Sequence, residues 1–411
     1  MKYHLFFAFL LLSLAPSAQD NRIVLGTIDS IYSSVLQEER KIWIYRPGGE
    51  DSLYLPRHYP VLYLLDGDAH FASVSGLVDQ LSRQNGNTVL PEMIIVGILN
   101  TDRTRDLTPT HSEHEYYADS IQLQHSGGGE NFYRFITTEL APHIDSLLPT
   151  LPYRIFTGHS FGGLTVMNTL VHHPGFFSSY IAIDPSMWWH GKKLLGETAG
   201  EWEKNNFPQT RLYLGIANTM APGMDTSSVQ KDSSASTQHI RSILSLAHLL
   251  NQAPSNRLRW TYAYYGNDDH NSVPLVATYD GLRFLFSFFR FPHMDKMFDK
   301  SFPPDSAIQL LSRHYANVSA EMGFTIFPPE RFVDEMGVYF MEGMQMERAL
   351  AFLSLNAKNY PGSRHAHEML GDAYAKAGKR ENAIAQYVLS LSSGENASTR
   401  KKLNELIRQG K

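Results

Sequence analysis

The chain has no cysteine. Disulfide cross-links, thiol catalysis and lipid attachment through an N-terminal cysteine are therefore excluded. Long runs of like charge are missing too: 36 basic and 41 acidic residues are interspersed, for a net charge of −5. That dispersal offers no footprint for nucleic acid or an anionic membrane surface. The N-terminal apolar stretch Leu5–Leu14 is only ten residues long, well short of the ~20 that a membrane-spanning helix needs. It follows Lys2 and precedes Ala15-Pro-Ser-Ala18, the layout of a secretory signal peptide over residues 1–18. The expectation is a periplasmic or secreted protein without a lipid anchor; an uncleaved N-terminal anchor is the alternative.

The 411 residues are 43% apolar and 12% aromatic, ample for more than one domain. Residues 23–32 and 41–46 alternate in polarity and predict antiparallel edge strands. Runs at 60–65, 93–99, 178–183, 211–216 and 258–264 are apolar on both faces, as strands covered by helices are. Helical periodicity falls between them, at 72–83, 131–148, 164–172, 236–251 and 273–289. Alternation over this length predicts an α/β fold with a doubly wound, mostly parallel sheet. Ligands in such sheets bind at the carboxyl ends of the strands, where Asp66, Asn100, Ser160, Asp184 and Asn218 fall. The aperiodic stretch 100–130, with Gly127-Gly-Gly129, predicts a loop that covers a site or binds something.

One stretch carries chemistry. Tyr153-Arg-Ile-Phe-Thr leads into Gly158-His-Ser160-Phe-Gly162, and an apolar helical pattern follows. A serine on such a strand-to-helix turn is held in a strained conformation with its hydroxyl pushed outward, and the helix N-terminus behind it stabilises negative charge. Ser160 is the predicted nucleophile. Its base comes late in the chain in this arrangement, and His270, in the turn-rich Tyr264–Pro274 segment after the last strand, is the histidine in that place. The orienting acid is less determined. Asp225 is the first choice, with Asp232, Asp268, Asp269 or a neutral group as alternatives, because Asn218 stands where an acid is expected. The backbone NH groups of Phe161 and Asp68, with Gly67 as second choice for the latter, are the expected oxyanion donors. Trp188 and Trp189, with Tyr116 and Tyr117, are candidates for an acyl pocket, and Arg103 or Arg105 for a substrate carboxylate or catecholate. Each is more often structural: core or rim tryptophans, and an arginine paired with Asp106. No metal or other cofactor is expected.

After Pro303-Pro304 the strand signals stop. Met336-Gly337 and Leu370-Gly371 lie 34 residues apart, as do Ala349 and Ala383, and small residues at those offsets let paired helices approach closely. The period resembles tetratricopeptide repeats. The expected organisation is a signal peptide at 1–18, a catalytic domain at 22–292, a helical connector at 293–327 and two helical repeats with a closing helix at 328–411. Those repeats offer a protein partner, or a second copy in a homodimer, a surface to hold.

The ordered motifs Tyr59–Gly67, Thr104–Pro109, Glu139–Pro142, Gly158–Leu164, Asp184–Trp189 and His270–Pro274 resemble the esterase family of α/β-hydrolases over residues 22–292. That family includes esterase D, feruloyl and acetyl esterases, mycolyltransferases and siderophore trilactone esterases; Arg105-Asp-Leu-Thr-Pro and the Pro-Ser-Met-Trp-Trp piece are most similar to the last. The resemblance implies an α/β-hydrolase fold and a serine hydrolase that cleaves carboxylic esters through an acyl-enzyme intermediate, with a small-molecule ester as substrate. Acyl transfer from the same site, or a non-catalytic scaffold presenting the repeats, are the alternative functions. Members usually carry Glu or Asp just after the strand that ends here at Asn218, and the helical repeats lie outside the family pattern.

Overall fold

The computed structural model describes residues 21–48, 52–252 and 256–409. The expected signal peptide lies outside the described residues. Strands β1 (Thr27–Ser33) and β2 (Glu38–Tyr45) form an antiparallel ribbon. Then β3 (Tyr59–Leu64), α1 (Gly67–Ser82) and β4 (Ile94–Ile98) make the first crossover. The 100–130 stretch holds two short helices, α2 (Arg103–Leu107) and α3 (Ser120–Leu123). Next comes the expected helix as one unbroken run, α4 (Gly129–Phe135), a π-helical turn at Ile136–Leu140 and α5 (Ala141–Leu147). Strand β5 (Thr150–His159) leads to α6 (Phe161–His172), β6 (Ser179–Ile183), α7 (Trp189–Lys204) and β7 (Arg211–Ala217). A short α8 (Thr226–Val229), α9 (Gln238–Gln252), β8 (Arg259–Tyr265) and α10 (Val273–Leu285) complete the sheet region.

The eight strands run in the order β1-β2-β4-β3-β5-β6-β7-β8, with β2 antiparallel to β4 and every later pairing parallel. This is the α/β-hydrolase sheet. Strands β3, β4, β6 and β7 are buried throughout because helices cover both faces. Two expectations change. Only β1 of the N-terminal ribbon is an edge, β2 being flanked on both sides, and β8 is the other edge rather than a central strand. The chain order reverses at β3: β4 adds to one side of it and β5 to the other. A crevice opens at the carboxyl ends of strands at such a point, so the residues after β3 and β5 share one site.

Beyond the sheet, α11 (Met294–Phe298) and α12 (Pro304–Met322) lead to α13 (Glu330–Glu342), α14 (Met346–Asn359), α15 (Arg364–Lys376), α16 (Arg380–Ser392) and α17 (Ala397–Arg408). The 34-residue period has a packing cause. A Cβ on Gly337 would lie 2.5 Å from the Leu353 side chain, and one on Gly371 would lie 2.6 Å from Tyr387. Each glycine lets its helix approach the next. Helices α12 to α14 share one apolar cluster with α1 and α10, through Leu311, Val333 and Phe352, so the first helix pair is continuous with one face of the sheet. Arg348, 4% exposed, ties them further by donating to the carbonyls of Met297, Asp299 and Phe302.

Candidate active site

Ser160 follows β5 and caps α6 with φ 59° and ψ −115°, a conformation costly for a residue with a Cβ. The turn is tight enough that a Cβ on Gly158 would lie 2.5 Å from the Gly162 carbonyl. The surrounding sheet holds the strain: Ser160 N donates to Ile183 O at 3.0 Å, and Ser186 N donates to Ser160 O at 3.1 Å. The serine Oγ lies 3.1 Å from His270 Nε2. His270 arrives on the turn between β8 and α10, and Asn218 anchors that turn by donating from its backbone N to Asp268 O at 2.8 Å and from Nδ2 to Gly266 O at 3.0 Å.

The carboxylate at His270 is Asp184, whose Oδ2 is 2.6 Å from Nδ1. Asp184 follows β6, is fully buried and has φ 41°. Its other oxygen, Oδ1, accepts from Ala217 N at 3.0 Å. Sequence reasoning placed the acid after β7, or beside His270 after β8, and the structure does not bring those candidates to the imidazole. Asp225 caps α8 by accepting from Ser227 N at 3.0 Å and Ser228 N at 2.7 Å. Asp232 accepts from Thr237 Oγ1 at 2.6 Å, Asp268 from Ser272 Oγ at 3.0 Å, and Asp269 from the backbone N of Asn271 and of Ser272 at 2.9 Å each. The Asp-Pro-Ser-Met-Trp-Trp motif at a strand end was the available signal for Asp184.

A second imidazole reaches the same oxygen: His239 Nε2, from α9, is 2.8 Å from Asp184 Oδ2. Its Nδ1 receives the Trp188 indole NH at 2.9 Å. An indole NH only donates, so His239 Nδ1 is unprotonated and its proton is on Nε2, aimed at Asp184. Burial works against the charge on Asp184, but the two imidazoles outweigh it and hold the carboxyl well below the usual range. Asp184, His239 and His270 also form a group of metal-ligating type, yet every facing atom is already engaged in this hydrogen-bond chain. His159 packs 4.4 Å from the His270 ring, and burial together with the neighbouring His270 pushes its pKa down to about 3, which keeps it neutral beside the site.

The turn after β3 borders the serine turn, a Cβ on Gly162 being 3.3 Å from Asp66 Oδ2. Asp66 adopts φ 52° as the N-cap of α1, and Ala69 N and His70 N donate to its carbonyl at 3.0 and 3.1 Å. The NH groups of Gly67 and Asp68, like that of Phe161 in α6, precede the first intrahelical bonds and point out of a helix N-terminus. The buried Asp66 carboxylate faces Arg103, with Nε at 2.6 Å and Nη2 at 3.0 Å, and Asn100 Nδ2 at 2.7 Å. Burial raises its pKa, but Arg103 and Asn100 prevail and hold it low.

Several of the candidate substrate contacts are engaged with partners within the protein. Arg105 pairs with Glu38 at 2.6 Å and with Asp106 at 2.7 Å, and Arg103 is committed to Asp66. Trp188 and Trp189 are 4% and 2% exposed, and the Trp189 indole donates to Thr110 O at 3.0 Å. They brace Phe161 from behind, with ring centroids 5.9 and 5.2 Å away. Tyr116 and Tyr117 remain exposed, Tyr117 lying over Trp188 at 5.0 Å.

Comparison with known proteins agrees with this architecture. The family described as "Putative esterase" matches residues 33–274. Ferri-bacillibactin esterase BesA of Bacillus subtilis is 35% identical over 167 residues, 37% of this chain and 57% of that protein. Apo-salmochelin esterase of Escherichia coli is 32% identical over 138 residues, 31% of this chain and 42% of that one. The chain thus spans about half the length of these curated relatives. The crystal structure of an IroE-like serine hydrolase from Shewanella oneidensis is 32% identical, with a TM-score of 0.68, over 81% of this chain and 99% of that one. An uncharacterised protein from Capnocytophaga ochracea, 14% identical with a TM-score of 0.59, shares the fold over 93% of this chain and 99% of its own. With the family match spanning residues 33–274 of 411 and the Shewanella protein alike along nearly its full length, this chain belongs to the putative esterase family.

Proposed function

We propose that the protein is a serine hydrolase of carboxylic esters. The observation that carries this reading is the unbroken line from Ser160 Oγ to His270 Nε2 at 3.1 Å and from His270 Nδ1 to Asp184 at 2.6 Å, set on a strained turn. Ser160 attacks the ester carbonyl while His270 takes its proton at Nε2 and returns it to the leaving alcohol. Asp184 holds the imidazole with its proton on Nδ1, so Nε2 is free to accept. The carbonyl oxygen becomes an oxyanion in the NH groups of Phe161 and of Asp68 or Gly67, where two helix N-termini favour negative charge. Water then repeats the sequence on the acyl-enzyme, with His270 again as base.

The substrate class proposed is a siderophore ester. BesA and the salmochelin esterase support it by their names, as does the siderophore enterobactin esterase of Emericella nidulans, 28% identical over 148 residues. The Met1–Ala18 segment supports export, and the 34-residue glycine period supports a tetratricopeptide-like reading of the C-terminal helices. The test is p-nitrophenyl acetate turnover by wild type and Ser160→Ala, followed by a panel of acetyl, feruloyl and catecholate trilactone esters. Loss of turnover in the variant, with fastest cleavage of the trilactone, is expected. Equal background rates for both proteins refute the hydrolase; a new ester formed with an added alcohol assigns acyl transfer instead.

A further inference from the structure

The mechanism uses one of the two imidazoles that meet on Asp184. His239 is 6% exposed and Asp184 is fully buried, so the contact between them is shielded from bulk solvent. Asp184 Oδ2 accepts from both rings, at 2.8 Å from His239 and 2.6 Å from His270, while Oδ1 is taken by Ala217 N at 3.0 Å. Three donors from three elements fix a short side chain that has two rotatable bonds. The His239 ring stands at 90° to that of His270, with centroids 5.0 Å apart, so each approaches the shared oxygen from its own direction. Trp188 supplies the remaining constraint. Its NH settles which His239 nitrogen bears the proton, and Trp188 belongs to the same Asp184–Trp189 segment as the carboxylate it serves.

We propose that His239, held in one tautomer by Trp188, is a positioning residue that locks the Asp184 carboxylate in the orientation His270 requires. The proposal rests on the ester-hydrolase reading. A core histidine satisfied by chance neighbours would be replaceable by any side chain that fills its volume. A positioning histidine is replaceable only by one that donates to Asp184 and accepts from Trp188. Glutamine does both, through its amide NH2 and carbonyl; phenylalanine fills space and does neither. Without the second donor, the carboxylate retains Ala217 N and His270 alone and turns about its Cα–Cβ bond, which costs the reaction at the chemical step and leaves ester binding untouched.

The experiment compares the full-length wild type with His239→Phe and His239→Gln in p-nitrophenyl acetate hydrolysis, and records for each the downfield proton NMR signal of the His270–Asp184 hydrogen bond. Loss of a hydrogen bond to a charged group predicts a kcat reduced on the order of tenfold or more in His239→Phe with KM within about twofold, and largely restored kcat in His239→Gln. The NMR signal is expected to broaden or vanish in the phenylalanine variant and persist in the glutamine one. The proposal is overturned if His239→Phe keeps wild-type kcat and signal, or if His239→Gln falls as far as His239→Phe while melting at the same temperature. Absence of turnover in the wild type refutes the hydrolase reading alone, because the NMR comparison still reads the bond.

Discussion

Replacing Asp184 by asparagine keeps the side chain's size and puts a donor where the carboxylate offers only acceptors. Its two oxygens receive three NH groups: His239 and His270 on Oδ2, and Ala217 on Oδ1. Whichever way the amide is turned, its NH2 faces at least one of them. If it faces the imidazoles, His270 shifts its proton to Nε2 to accept from the amide, and Nε2 can no longer take the proton of Ser160. If it faces Ala217, a buried backbone NH loses its partner and the His270 ring loses the anion that stabilises its protonated form. The first outcome is the one known to disable serine–histidine–aspartate sites, by about 10⁴-fold in kcat. At ~1.36 kcal/mol per tenfold, that is roughly 5.4 kcal/mol of transition-state stabilisation. Asp225→Asn is the matched control: Asp225 is exposed, accepts only within its own helix cap, and asparagine caps helices equally well. Its kcat is expected within about twofold of wild type. The assay is p-nitrophenyl acetate hydrolysis at neutral pH with thermal melts of all three proteins. An Asp184→Asn enzyme that keeps more than about a tenth of wild-type kcat, or a collapse of activity in Asp225→Asn, refutes the assignment of the acid.

Other perturbations test the surroundings. Gly337→Ala forces a methyl within 2.5 Å of Leu353; overpacking costs about 1–3 kcal/mol against the ~1 kcal/mol gained in helix propensity. A lower melting temperature with unchanged kcat is expected, relieved by Leu353→Ala in the same chain, and a higher melting temperature would count against close helix approach as the reason for the period. Asp66→Asn probes the Arg103 pair. The Asp66 carboxyl is held below its ordinary 3.8, so its contribution to stability is fully present above that value and is lost as pH falls through the lowered one. The variant is expected to melt about a few degrees below wild type at pH 7, with the gap closing as pH drops below about 4. A gap that is constant with pH assigns the effect to packing instead.

Much of this was legible because it depends on local rules. The serine turn is strand, small residue, serine, small residue, helix, and each part has a backbone reason close in sequence. His270 was legible because it is the one histidine in the turn that directly follows the last strand, before α10 begins. The acid was not. Which strand end reaches His270 depends on how β6, β7 and β8 lie side by side, and on the φ of 41° at Asp184 that turns its side chain towards them. With Asp184 in place after β6, Asn218 after β7 is free for another task and pins the histidine turn. Trp188 and Trp189 were left between pocket wall and core for a related reason. A tryptophan at a strand end reads as a pocket wall until the partners of its NH are known, and here those partners are His239 and Thr110.

The sequence by itself determined the layered fold, the turns that carry Ser160 and His270, and the spacing of the helix pairs, because hydrophobic period, turn chemistry and glycine spacing act within a few residues along the chain. Only the tertiary structure decided which carboxylate meets His270, that a second histidine shares it, that Arg103 and Arg105 pair with the protein's own carboxylates, and that both tryptophans are buried. Those outcomes turn on distances between segments tens of residues apart, and burial in a common low-dielectric interior is what makes each such contact strong enough to matter.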